Sequence, residues 1–401
     1  MVIRDSGYNI AMSQRRRLAI VLGLNQTLTW GMTFYLPAVI ASPVASSLHA
    51  SHMAILGAFT LALLTTSVAA PRVGNWIDRH GGRGVLALCV AVTAFGQIIL
   101  AIAPTLAFWY VGWVVIGIGM ALGLYDAAFA TAGVLLGKDA GPAITGITLF
   151  AGFASTVFWS LGAVLIGHLG WRGLLLLYAA IQLMVNLPMV LLLVPRGTAH
   201  ATATGNAPRV PGGQRSRRTV AACLASFFTI RWFITSTIAV NILVLLQGIG
   251  LTLGQAVFVA ALIGPGQVAG RILEWSIGSR IDLLVKARVG AMLFPLGAMI
   301  LTVGGLGPAI AFAALYGMSN GILTINRGTL PLALLGSEGY ATLLGWLAVP
   351  VLLAQATAPA AVAPLVAAVP ALHVFLLAGS LAAAGALLLF PLRVPRAFTD
   401  G

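Results

Sequence analysis

The sequence predicts an all-α membrane protein, with twelve transmembrane helices in two pseudo-symmetric six-helix bundles. Three observations predict it. Of 401 residues, 60% are hydrophobic and 7% are charged, against about 25% charged in an average soluble domain. The mean hydropathy is +1.02. The apolar residues gather in twelve long runs, at 18–40, 53–73, 84–103, 107–136, 141–167, 172–194, 219–246, 254–276, 288–306, 309–335, 341–367 and 371–392. About 20 residues cross a hydrocarbon core of roughly 30 Å, and runs this long are neither strands nor surface helices. Backbone groups in lipid must satisfy one another, so the runs are helices. The composition excludes a soluble enzyme, a nucleic-acid-binding domain and a disulfide scaffold.

The first helix follows Arg15, Arg16 and Arg17. Ser13 to Leu18 loosely resembles a twin-arginine export signal, but Asn25 and Gln26 interrupt the apolar stretch and no cleavage site follows. The segment therefore reads as an uncleaved helix. Twelve crossings put both termini on one side. Of 22 Lys and Arg, 18 fall on that side; Arg172 falls opposite, and Arg231, Arg271 and Arg327 lie within helices. Positive charge concentrates in cytoplasmic loops, so both termini are expected in the cytoplasm. Trp109, Trp113 and Trp171 are expected at the outer face as an aromatic belt. Short outer loops suggest a bacterial inner membrane.

Residues 195–218 are rich in Gly, Ala, Thr, Pro and Arg and have no periodicity. They read as a cytoplasmic linker between an N-terminal bundle, 1–194, and a C-terminal bundle, 219–401. The halves resemble each other. Leu135-Leu136-Gly137 with Gly146 recurs as Leu334-Leu335-Gly336 with Gly345, 199 residues on. Gly119-Met120 with Gly123 recurs as Gly317-Met318 with Gly321, 198 residues on. Pro104 with Phe108 recurs as Pro308 with Phe312, 204 residues on. Three matches in order at nearly one offset argue for duplication, an architecture of transporters.

Gly74, Asp78, Arg79, Gly81 and Arg83 stand between the second and third helices. Asp78 is placed to accept backbone N–H groups at a neighbouring helix N-terminus or to pair with an arginine. Gly278 and Asp282 repeat the glycine and aspartate 204 residues later. This loop resembles the G-x-x-x-D-R-x-G-R-[KR] signature of the major facilitator superfamily, with Gly82 as the departure. With twelve helices and the central linker, the resemblance spans the chain. It implies secondary transport by alternating access, a solute site between the halves lined by helices one, four, seven and ten, and a monomer. Gly170-Trp171-Arg172 resembles a motif of many members. The helix-five glycine-proline pattern of drug–proton antiporters is absent; Phe158-Trp159-Ser160 stands there.

A charge at the bilayer centre costs at least about 2.5 to 3.5 kcal/mol, so it needs a partner or a watery cavity. Five ionisable residues lie inside helices: Asp126, Arg231, Arg271, Glu274 and Arg327. Arg231 falls near the midplane. By the resemblance, Asp126, Arg231 and Arg327 face the cavity. From their similar depth on opposite halves, an Asp126–Arg327 salt bridge is the expected cytoplasmic gate; the alternative is that one of them pairs within its own half. Arg271 and Glu274, at i,i+3, have the spacing of a local pair. The alternative is that Gly270-Arg271 resembles the helix-eight glycine-arginine of monocarboxylate-type members, which binds carboxylate; Gln267 departs from their pattern. Among neutral residues, Asn25, Trp30, Tyr125 and Asn241 are candidate solute contacts. Asp126 and Glu274 are the candidate proton carriers, since burial and a nearby arginine push a carboxyl pKa in opposite directions.

The expected function is secondary active transport of a small organic anion or carboxylate, coupled to protons. Three intramembrane arginines against two acids favour an anion. The alternative is proton-coupled efflux of toxic or hydrophobic compounds. No Walker A sequence and no hydrolase motif occurs, and no extramembrane domain is present to relay a signal. The partners are a solute, protons and lipid; neither cofactor, metal nor nucleic acid is expected.

Overall fold

The computed structural model describes residues 3–197 and 213–393. Most of the expected linker, 195–218, lies outside these residues. The described residues are helical and contain no strand. Among the described residues, nine stretches are long and apolar enough to cross a membrane. Exposed side chains include Val68, Phe95, Leu192, Met299 and Val303, a surface suited to acyl chains rather than water.

The helices are α1 (Ile3–Met32), α2 (Pro37–Ser47), α3 (His52–His80), α4 (Gly82–Ala101), α5 (Leu106–Gly123), α6 (Tyr125–Leu136), α7 (Ala140–Ala151), α8 (Ala154–Ile181) and α9 (Leu187–Leu193). After the undescribed segment come α10 (Gly213–Gly248), α11 (Leu253–Ile277), α12 (Leu283–Ile300), α13 (Leu306–Leu335), α14 (Tyr340–Ala368) and α15 (Ala371–Leu387). The apolar stretch Leu106–Leu193 has 88 residues, roughly four times one crossing. Gly137 (φ 56°) and Gly170 (φ 65°) break it into three lengths. Only glycine reaches such φ values without strain. With those breaks and α15, the helices accommodate the twelve-crossing reading.

The chain divides into two compact units. The first comprises 1–205 with 337–349, and the second 206–336 with 350–401. In the first unit, α5 packs against α3 and α4. A Cβ at Gly117 would meet the Ala62 backbone, and one at Gly96 would meet Ile116. In the second, α11 and α13 meet along Gly266, Gly270, Gly317 and Gly321, where added methyls would strike the opposite backbone. Small residues four apart let membrane helices approach closely enough for dispersion contacts to hold them. Phe294, Phe312, Tyr316 and Phe375 fill the core of this unit.

Two local expectations are corrected. Trp109 and Trp113 do not form an interfacial belt: each is 1% exposed. They stack edge to face in a row with Trp171, with centroids 6.1 and 6.0 Å apart, and Trp109 donates to the Ile55 carbonyl. The run 107–136 is not one helix. It breaks at Leu124, whose backbone is extended (ψ −173°). The Gly123 carbonyl freed there accepts from Gln26 Nε2 at 2.6 Å.

Candidate solute-binding site

Arg231 lies near the middle of the 32-residue apolar stretch Arg217–Gly248 and is 2% exposed. Its Nη1 donates to Thr235 Oγ1 at 3.1 Å, one turn on. Its Nη2 donates to Ser319 Oγ at 3.2 Å and Asn320 Oδ1 at 2.6 Å, both on α13. Ser319 gives its own proton to the Gly290 carbonyl at 2.6 Å, so a lone pair is turned to the guanidinium. The rings of Phe294 and Tyr316 stand 5.4 and 5.6 Å from the guanidinium carbon. Every acceptor is neutral, Nε has no partner, and Arg231 makes no ion pair among the described residues. Neutral acceptors satisfy N–H groups but leave the net charge uncompensated, which is what makes an anion welcome there.

Arg327, also on α13, lies 5.1 Å over the ring of Trp232, the residue after Arg231. Arg271 on α11 is 5% exposed, and its Nε and Nη1 have no partner. The expected local pair with Glu274 is not made. Glu274 instead binds Lys286 of α12 at 2.9 Å. Lys286 also donates to the Gly278 carbonyl at 2.9 Å. A lysine here serves both the buried carboxylate and the free carbonyl end of α11, which the shorter reach of an i,i+3 pair cannot do.

In the first unit, Asn25 is buried and donates to Asn186 Oδ1 at 2.9 Å. Its side chain is engaged in the protein interior. Trp30 and Tyr125 are half-buried, their centroids 4.8 Å apart. Asp126 sits in the first turn of α6, where a carboxylate complements the positive end of the helix dipole. Asp126 and Arg327 belong to different units. Asn241 donates to the Thr237 carbonyl of its own helix at 2.9 Å.

Asp78 caps α14: Ala341 N donates to its Oδ1 at 3.1 Å, and Thr342 N and Oγ1 to its Oδ2 at 2.7 and 2.6 Å. A Cβ at Gly74 would run into the Ala341 carbonyl. Gly81 (φ 80°) ends α3 at the turn between Arg79 and Arg83. The second copy acts locally, since Asp282 accepts from Leu284 N and Val285 N of its own α12, after Gly278 (φ 53°).

Ser319-Asn320, Lys286, and Gln182 with Asn186 were not among the expected site residues. Two signals were present: an adjacent polar pair inside the run 309–335, and two amides four apart inside 172–194.

The apolar helices describe a membrane-spanning helical protein with a buried cation that no acid compensates among the described residues. The family model of the Major Facilitator Superfamily matches residues 22–359. The chain belongs to that superfamily, whose fold serves secondary transport across membranes. A search of curated proteins finds no match. Similar solved folds include the human organic anion transporter MFSD10 (TETRAN), at 18% identity and TM-score 0.71, covering 94% of this chain and 99% of that one. FucP in the outward conformation aligns at 15% identity and TM-score 0.69, covering 92% and 97%. The proton:xylose symporter XylE bound to 6-bromo-6-deoxy-D-glucose aligns at 13% and 0.66, covering 94% of each chain.

Proposed function

We propose that this protein transports a small organic anion, preferably a carboxylate, and that Arg231 anchors the anionic group. The observation that carries this reading is a mid-helix guanidinium, 2% exposed, held by three neutral acceptors and by no acid. A hydrophobic efflux substrate needs no such counter-charge. Arg271, with two buried unpartnered nitrogens, is the second anion contact in this reading. The similarity to a fold whose human member is an organic anion transporter agrees with the class.

The transport is alternating access, coupled to protons through Asp126 or Glu274, in a bacterial inner membrane. The working unit is a monomer with cytoplasmic termini and bundles at 1–194 and 219–401, joined by 195–218. Asp126 and Arg327 act in gating, which single variants test: transport lost in both Asp126→Asn and Arg327→Gln supports the role, and full transport in either removes it.

The deciding experiment uses proteoliposomes with an inward proton gradient and a panel of small carboxylates and hydrophobic cations. Carboxylate accumulation that falls at least about 100-fold in Arg231→Ala supports the anion reading, in line with truncating a buried charge contact. Movement of hydrophobic cations alone, unaffected by Arg231→Ala, replaces it with efflux.

A further inference from the structure

Six aromatic rings of the first unit divide into two kinds. Trp109, Trp113 and Phe129 are buried, as packing residues are. Trp30, Phe34 and Tyr125 are half-buried. Trp30 is the centre of the second group. Phe34 stands 4.7 Å from it at 55°, and Tyr125 4.8 Å from it at 44°. Phe59 meets Phe34 edge-on at 5.4 Å.

Trp30 is held from behind by a hydrogen-bond chain of one sense. Its Nε1 donates to Gln26 Oε1 at 3.1 Å. Gln26 Nε2 donates to Asn25 Oδ1 at 3.1 Å and to the Gly123 carbonyl at the helix break. Asn25 Nδ2 donates to Asn186 Oδ1 at 2.9 Å, and Asn186 Nδ2 to Gln182 Oε1 at 2.6 Å. Gln182 to Asn186 forms a π-helical turn between α8 and α9, a departure that recurs at functional sites. All four amide residues are at most 1% exposed. Sinking four amides into a membrane protein has a cost that a ring facing lipid does not require. The chain consumes the indole N–H and fixes the ring plane, and Trp30 is half-buried, so part of its ring surface remains for a solute. The break at Leu124 makes Tyr125 the first residue of α6 and so sets the neighbouring ring.

We propose that Trp30, Phe34 and Tyr125 form a preorganised aromatic subsite within the first unit that accepts a planar, unsaturated ring in preference to a saturated one. This goes beyond the anion reading and stands independently of it. Stacking on fixed rings adds to burial for a π system but not for a saturated ring of similar size.

The test is a matched pair of probes, benzoate and cyclohexanecarboxylate, with the uncharged pair benzyl alcohol and cyclohexylmethanol as the second arm. Apparent affinities are read in proteoliposomes for the anions, and by ligand-induced shifts in thermal unfolding of the full chain for all four. The expected result is an about three- to tenfold preference for each aromatic member. The preference weakens in Trp30→Phe, which keeps a ring but loses the indole N–H that fixes it, and disappears in Trp30→Leu, while Trp30→Leu keeps its cyclohexanecarboxylate affinity, which shows that it is folded. Equal affinities within both pairs in the unsubstituted protein, or a preference that survives Trp30→Leu, overturns the subsite. Should the anions fail to bind while benzyl alcohol still outcompetes cyclohexylmethanol, the anion reading falls and the ring subsite stands.

Discussion

The two units solve the same problem, polar groups inside a membrane protein, in opposite ways. The first unit buries neutral amides. Asn25, Gln26, Gln182 and Asn186 pass hydrogen bonds from one to the next, and no charge is at stake. The second buries cations. Arg231 is spread over neutral oxygens, Arg271 keeps two free nitrogens, and Glu274 is matched to Lys286 across two helices. Under the proposed function, the difference assigns selectivity by charge to the second unit and selectivity by shape to the first. A neutral network can orient a ring but cannot choose between an anion and a cation. A guanidinium with no acid beside it makes that choice and is indifferent to the rest of the solute.

Charge should therefore be the more fragile of the two designs. Glu274→Gln leaves the half-buried Lys286 ammonium opposite a neutral group. Breaking one side of a buried pair costs about 3–5 kcal/mol, and unfolding in detergent should show it as the largest loss of stability among these substitutions. The double exchange Glu274→Lys with Lys286→Glu should return part of that loss, and no return would mean that the pair matters through packing alone. Asp78→Ala removes three hydrogen bonds to the start of α14. Bonds to a carboxylate are worth roughly twice those between neutral groups, so a loss of about 2 kcal/mol is expected by the same measurement. Asn186→Leu removes two links of the amide chain. Interhelical hydrogen bonds in membranes are worth about 0.6 kcal/mol on average, so about 1 kcal/mol is expected, with a wider range of Trp30 ring orientations in an experimental structure. A loss equal to that of Glu274→Gln would erase the contrast between the units. Asp282→Ala removes only a local N-cap, about 1 kcal/mol or less. Its measurement beside Asp78→Ala sharpens the contrast between the two copies of one motif.

Much of this was legible in the residues. Runs of twenty or more apolar residues have few structural outcomes, so the helices followed from length. Arg231 was placed near mid-helix by counting from Thr219, and Asp78 was expected at a neighbouring helix N-terminus. What escaped had no periodic signature. A helix that is apolar on all sides gives no pattern to interrupt, so the break at Leu124 and the π turn at Gln182 left little trace. The partner of Glu274 was misread because spacing along one helix reports only local neighbours, and Lys286 arrives from α12. Trp109 and Trp113 were assigned by depth alone, whereas burial depends on which way each face of α5 turns.

The cap on α14 also bears on how the chain is made. Asp78 and its partners Ala341 and Thr342 are separated by 263 and 264 positions, and residues 337–349 complete the first unit. At about 5–20 residues per second, a ribosome needs roughly 15 to 50 seconds to supply that stretch after Asp78 has emerged. For that interval the end of α3 holds a carboxylate and a glycine notch with nothing to bind. The first unit is thus begun early in synthesis and finished almost last, so a nascent chain halted before residue 337 carries an unfinished N-terminal unit rather than a complete one.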